Sequence, residues 1–319
     1  MMTHNKTEKA FRCLFFACAF VLSIIACKKE DEMPVTGTDP VAVDYHQDAA
    51  TQFVEADGAK YAYRVLGDKG GIPLVLVSPL AGGLDDWDPA ITNGLAQQYK
   101  VVIFDNKGVG SSTGKTPSTI AEMAKDAVTF IKAMGYPKVN LMGFSMGGFV
   151  TQQIVLTEPA LVNKIILTGT GPKGAEGLSK LPELLAATAG LSKDESFLRF
   201  GFTDSDASRN AGKAALARVN KRTVNRDVPL SQEASTAELT AVLAWAQPYP
   251  EALNELKAVT QPALIVDGDM DLPVPVINSV NMSKSITHSQ LVVFPDAGHA
   301  SFMQNPDKFV QYALDFLGK

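Results

Sequence analysis

Six runs of nearly uninterrupted apolar residues, IPLVLVS, KVVIFD, KVNLMGF, KIILTG, PALIVDG and QLVVFPD, limit what this chain can fold into more than any other feature. Each is short and bounded by turn-forming residues, so each reads as a strand covered on both faces. Stretches with apolar residues at helical spacing, such as Ile120 to Met134, lie between them. That alternation calls for a parallel sheet with helices packed on its faces. FVEADG and KYAYRVLG add a hairpin, and the expectation is an α/β fold on an eight-stranded, mostly parallel sheet starting near Phe53. The alternation stops between Gly171 and Val259, where Ala- and Leu-rich helical pieces follow one another without a comparable strand. These read as a helical cap over 171–259, inserted into a sheet domain formed by 53–170 and 260–319. A hydrophobic content of 46% suffices for the core of such a domain.

The N-terminus follows other rules. Lys6, Lys9 and Arg12 precede the apolar run from Leu14 to Ala26, which is too short to span a bilayer but suits the core of a signal peptide over 1–26. Its end, SIIAC, resembles the bacterial lipobox, which implies cleavage before Cys27 and lipidation of that cysteine. The polar stretch that follows, 27–52, lacks apolar periodicity and reads as a flexible tether. Its opening KKEDE resembles the surface-export signal of Bacteroidetes lipoproteins. The expected location is therefore the bacterial cell envelope, lipid-anchored to the outer membrane, facing the periplasm or the cell surface. Cleavage removes Cys13 and Cys18 and leaves no pair for an internal disulfide; it also removes three basic residues and one acidic, taking the formal charge from −5 to −7. No Lys/Arg cluster provides a footprint for nucleic acid.

GFSMGG, Gly143 to Gly148, stands between the strand run KVNLM and the helix-like FVTQQIVL. A serine on a sharp turn from strand to helix is pushed out above the sheet, and glycines on either side let backbone approach backbone. The N-H of the following residue, Met146, then lies at the positive end of a new helix. GSSTG, Gly110 to Gly114, has the same spelling but follows the polar NKGV, so context favours Ser145 over Ser112. GTGPKG, Gly169 to Gly174, has the spelling of a dinucleotide fingerprint, but Pro172 and AEGLSKLP delay any helix that could receive a pyrophosphate.

A serine hydroxyl needs a base and an anion to orient that base. The chain has four histidines. His4 is in the signal peptide, His46 in the tether and His288 in a polar turn before a strand. His299 follows the strand QLVVFP in DAGHASF, on the side of the sheet where strand ends present their loops. The acid is sought in DGDMDLPVP, which offers Asp267 at the strand end and Asp269 and Asp271 in the loop. Asp271 is favoured, because Pro273 and Pro275 stiffen its exit, and Asp269 is the second choice. No metal-ligand spacing such as histidines at i and i+4 is present, and this chemistry calls for no metal or cofactor.

Together GFSMGGFV, FDNKGVGSSTG, GDMDLPVP and FPDAGHASF resemble the α/β-hydrolase fold from about Phe53 to Leu317, in a capped esterase-like or haloperoxidase-like branch. The resemblance implies Ser145 as nucleophile, His299 as base, Asp271 as orienting acid, and backbone N-H groups of Met146 and Leu80 as an oxyanion hole. It gives Asp105 a bracing role in the loop after the fourth strand. Ser78 and Pro79 depart from the His-Gly that many members carry, although Leu80 still offers an N-H. Asp85, Asp86 and Trp87 are expected to fix this loop. Phe200, Phe202, Trp245 and Leu272 are candidates for a substrate pocket, while Arg199, Arg209, Lys213 and Arg218 read as a solvated helix face. The expected activity is hydrolysis of a small, hydrophobic carboxylic ester through an acyl-enzyme. C-C bond hydrolysis, cofactor-free haloperoxidation and ligand binding without turnover are the alternatives, because one fold hosts many reactions.

Overall fold

The computed structural model describes residues 43–319; the expected signal peptide, Cys27 and the tether up to residue 42 lie outside the described residues. The strands are β1 (Gln52–Ala56), β2 (Ala59–Leu66), β3 (Leu74–Val77), β4 (Val101–Phe104), β5 (Val139–Phe144), β6 (Val162–Thr168), β7 (Ala263–Gly268) and β8 (Ser289–Phe294). They form one sheet in the order β1-β2-β4-β3-β5-β6-β7-β8. β1, β2 and β4 pair antiparallel and all other neighbours pair parallel. Every residue of β3, β4, β5 and β7 is buried, the reason those runs lack a polar alternation.

Helices cover both faces. The helices are α1 (Tyr45–Asp48), α2 (Pro89–Ala96), α3 (Ile120–Ala133), α4 (Met146–Thr157), α5 (Leu181–Ala186), α6 (Lys193–Gly201), α7 (Asp206–Val219), α8 (Gln232–Trp245), α9 (Ala252–Glu255), α10 (Ile277–Ser285), α11 (Ser301–Gln304) and α12 (Pro306–Leu317). β3 shows how the layers divide: Val75 and Val77 face the core built with Phe130 of α3 and Phe149 of α4, and Leu74 and Leu76 face Ile91 of α2 and Phe309 of α12. Each such side chain, fully buried, contributes about 1.5–3 kcal/mol.

α5 to α9 lie between β6 and β7, in the stretch expected to form a cap. Polar contacts fasten this insertion to the sheet domain. Arg218 of α7 donates from Nε and Nη2 to the two oxygens of Asp88, the N-cap of α2, at 2.8 and 2.6 Å. Arg218 is thus a latch rather than part of a solvated face. Arg222 donates to the carbonyls of His46, Gln47 and Ala49. Those bonds correct the expected tether boundary, because the compact unit starts at Val43, with His46 buried on α1 and its Nδ1 2.9 Å from Thr92 Oγ1. A short segment without periodicity folds here because distant side chains satisfy its backbone groups.

Candidate active site

The chain runs from β3 out to β4 on one side and returns to β5 on the other, so strand order reverses beside β3. A crevice opens at the carboxyl ends of strands at such a point. Residue 80 follows β3 and residue 145 follows β5 at this place; Asp271 and His299 follow β7 and β8.

Ser145 sits between β5 and α4 at φ 53° and ψ −117°, a conformation that L residues avoid. Close packing holds it there. A side chain at Gly147 would run into the carbonyl of Val77, and one at Gly143 into the backbone of Gly147. The Ser145 N-H donates to Thr168 O at 3.0 Å, and Thr170 Oγ1 donates to Ser145 O at 2.8 Å. The elbow is thereby tied to β6 and the loop after it.

His299 Nε2 lies 2.9 Å from Ser145 Oγ, and His299 Nδ1 lies 2.7 Å from Asp271 Oδ2. Asp271 is buried, its other oxygen accepting from Val274 N-H at 2.8 Å. The Phe144 ring packs on the imidazole at 5.1 Å between centroids. Asp269 takes no part in this line, since its Oδ1 accepts from Ala297 N-H and ties the β7 loop to the His299 loop. Asp267 is wholly buried behind Asp271, accepting from Ser279 Oγ at 2.6 Å. Burial and the adjacent Asp271 carboxylate push Asp267 well above the usual carboxylate range.

Among the described residues, the N-H groups of Leu80 and Met146 have no protein acceptor. Asp105 braces the neighbouring loops by accepting from Leu84 N-H at 3.0 Å and Ser111 N-H at 3.2 Å. Asp85 pairs with buried Arg64, Asp86 accepts from Gly83 N-H, and Trp87 is buried, so all three fix the loop after β3.

A cavity of about 380 Å³ opens over Ser145 and His299, lined by Leu80, Phe144 and Phe149 from the sheet domain and by Leu181, Phe197 and Phe200 from the insertion. Of the four pocket candidates only Phe200 lines it. Phe202 turns into the core, edge-on to Phe197 at 5.5 Å. Trp245 stacks behind Phe149 at 5.4 Å and directs its Nε1-H to Gly171 O. Leu272 points outward and is 54% exposed. Phe144 and Phe149, missed in the sequence, flank Ser145 in the chain, and that adjacency is the signal that could have found them. Glu238 and Asp227, which bond into the loops beside the site, carry no such signal.

Residues 72–306 match the model of the alpha/beta hydrolase fold family. An alpha/beta hydrolase fold protein from Chitinophaga pinensis is 40% identical, with a TM-score of 0.83 over 85% of this chain and 98% of that one. A pimeloyl-[acyl-carrier protein] methyl ester esterase from Nitrosospira multiformis is 29% identical over 70% of this chain and 86% of the relative. A Mycobacterium tuberculosis protein described as a non-heme bromoperoxidase is 24% identical over 77% of this chain and 94% of its own length. The chain belongs to the alpha/beta hydrolase fold family.

Proposed function

We propose that the protein is a serine hydrolase of small, hydrophobic carboxylic esters. The observation that carries this reading is the continuous line Asp271–His299–Ser145, with separations of 2.7 and 2.9 Å, at the floor of an apolar cavity. Ser145 Oγ attacks the ester carbonyl as His299 Nε2 takes its proton, and Asp271 orients the imidazole and balances the charge it gains. The carbonyl oxygen, now negative, is received by the N-H groups of Met146 and Leu80. The tetrahedral adduct collapses, the C-O bond to the alcohol breaks, and His299 returns the proton to the departing oxygen. Water, deprotonated by His299, then attacks the acyl-enzyme and releases the acid. The relative assigned to methyl ester cleavage supports the ester class, and the lining of Phe144, Phe149, Leu181 and Phe200 supports an apolar acyl group.

Hydrolysis of p-nitrophenyl esters from acetate to decanoate by the wild type and by Ser145→Ala tests the reading. Activity that disappears in the variant supports it, and a folded wild type that cleaves none of the esters overturns it. The lipobox-like SIIAC supports anchoring through a lipid on Cys27. Incorporation of labelled palmitate in cells, lost in Cys27→Ser, checks that part.

A further inference from the structure

The loop that leaves β3 carries Leu80 on a tight turn, closed by Gly82 N-H donating to Pro79 O at 3.0 Å. The third residue of the turn, Ala81, has φ 60°, the left-handed region that suits glycine and costs a residue with a Cβ. Something outside the turn must hold it. The Ala81 N-H donates to Glu238 Oε2 at 2.8 Å, across 157 residues of sequence. Glu238 comes from α8 of the insertion and is wholly buried; its other oxygen accepts from Asn106 Nδ2 at 3.4 Å.

A carboxyl group there is not explained by packing. Its neighbours on the buried side of α8 are Ala234, Ala241, Val242 and Trp245, so a leucine would suit the position better. No cation among the described residues forms an ion pair with Glu238. Burial raises its carboxyl to about 7, and only the bonds from Ala81 and Asn106 pull it down. The group is therefore kept at a cost, and what it holds is the peptide next to Leu80.

We infer that Glu238 is a positioning residue: by holding the Ala81 N-H it fixes the turn that aims the Leu80 N-H at the developing oxyanion. The inference rests on the serine hydrolase reading and adds to it that a cap side chain completes the oxyanion hole. Removing a direct oxyanion donor lowers turnover about 10²- to 10³-fold. Releasing the residue beside a donor should do less.

The test is the steady-state kinetics of Glu238→Leu, Glu238→Gln and Glu238→Asp on one short p-nitrophenyl ester. Glu238→Leu, which has no acceptor, should lose roughly 10- to 100-fold in kcat with KM within about twofold of wild type. Glu238→Gln keeps an acceptor oxygen at the same reach and should recover most of kcat. Glu238→Asp keeps the charge but falls short of Ala81, and it carries the test if the leucine variant does not fold. A role in cap packing alone would lower the thermal midpoint without this split and without rescue by glutamine. Wild-type kcat in a folded Glu238→Leu or Glu238→Asp overturns the inference while leaving the hydrolase reading intact. A wild type that neither cleaves esters nor takes a fluorophosphonate label overturns both.

Discussion

Every residue of β5 from Val139 to Phe144 is buried, and β3 and β6 pair with it on either side. In α7 of the insertion only Ser208, Gly212, Ala215 and Val219 are buried, and Arg218 pins the helix to Asp88. The two regions hold their shape by different means. Apolar burial in the sheet is spread over many contacts and leaves the strand ends little freedom, so Ser145, Asp271 and His299 stand on rigid supports. The insertion buries fewer side chains in the shared cores, Phe202 and Trp245 among them, and adds directional latches, Arg218 on Asp88, Ser111 on Asp227, Ser205 on Asp296 and Ala81 on Glu238. Chemistry is built on the first region. The second supplies part of the cavity wall, with Leu181, Phe197 and Phe200, and reaches back through Glu238.

The sharpest test of this division lies in the sheet domain. Ser145→Ala should lower kcat by on the order of 10⁴-fold or more, with a thermal midpoint close to that of wild type. Asp271→Asn should cost about 10³- to 10⁴-fold in ester hydrolysis, against a few-fold for Asp269→Asn, which only loosens the bond to Ala297. Equal losses in the two would mean that the acid is misassigned.

On the insertion side, Arg218→Ala leaves the fully buried Asp88 carboxylate without its cation. Urea unfolding should show a loss of about 3 kcal/mol, while kcat on a short ester stays near wild type. An inactive but folded variant would erase the distinction drawn between the regions. Phe200→Ala should shift preference toward longer acyl chains, changing the decanoate-to-butyrate ratio of kcat/KM by about tenfold. Trp245→Ala, which lies behind the cavity wall, should lower stability and leave that ratio nearly unchanged.

The last effect concerns the contact between the regions and is read as a pH dependence. Burial, and next the Asp227 carboxylate from the insertion, raise Asp105 from its ordinary 3.8 to about 9. The folded protein keeps a proton there that the unfolded chain gives up, so this site's contribution to stability is full below about 3.8 and declines as pH rises toward about 9. Asp105→Asn, which cannot titrate, should flatten the fall of the thermal midpoint across that window in differential scanning calorimetry. An unchanged slope would show that Asp105 is ionised in the fold.

Much of this was legible in the chain because local signals and tertiary demands agree. Strands buried on both faces have to be continuous apolar runs, and a serine between such a run and a helix has to be exposed at an elbow. Scarcity of histidine narrows the base to His299, which the structure places against Ser145. The pocket was not legible in the same way. Phe200 and Phe202 are two residues apart, yet the chain leaves α6 between them and sends one ring into the cavity and the other into the core. Leu272 adjoins buried Asp271 and still faces outward. His46 and Glu238 are polar residues without local motif, buried because partners 46 and 157 positions away meet them. Pairings of that kind come from topology, not from any window of sequence.

The central claim is that the sheet domain makes Ser145 a nucleophile. Intact-protein mass spectrometry after treatment with a fluorophosphonate, followed by peptide mapping, tests it without knowledge of the substrate. The account predicts a single adduct, on Ser145, absent from Ser145→Ala and much slower to form in His299→Ala. A folded wild type that takes no adduct, or takes it on Ser112 or any other residue, would contradict it.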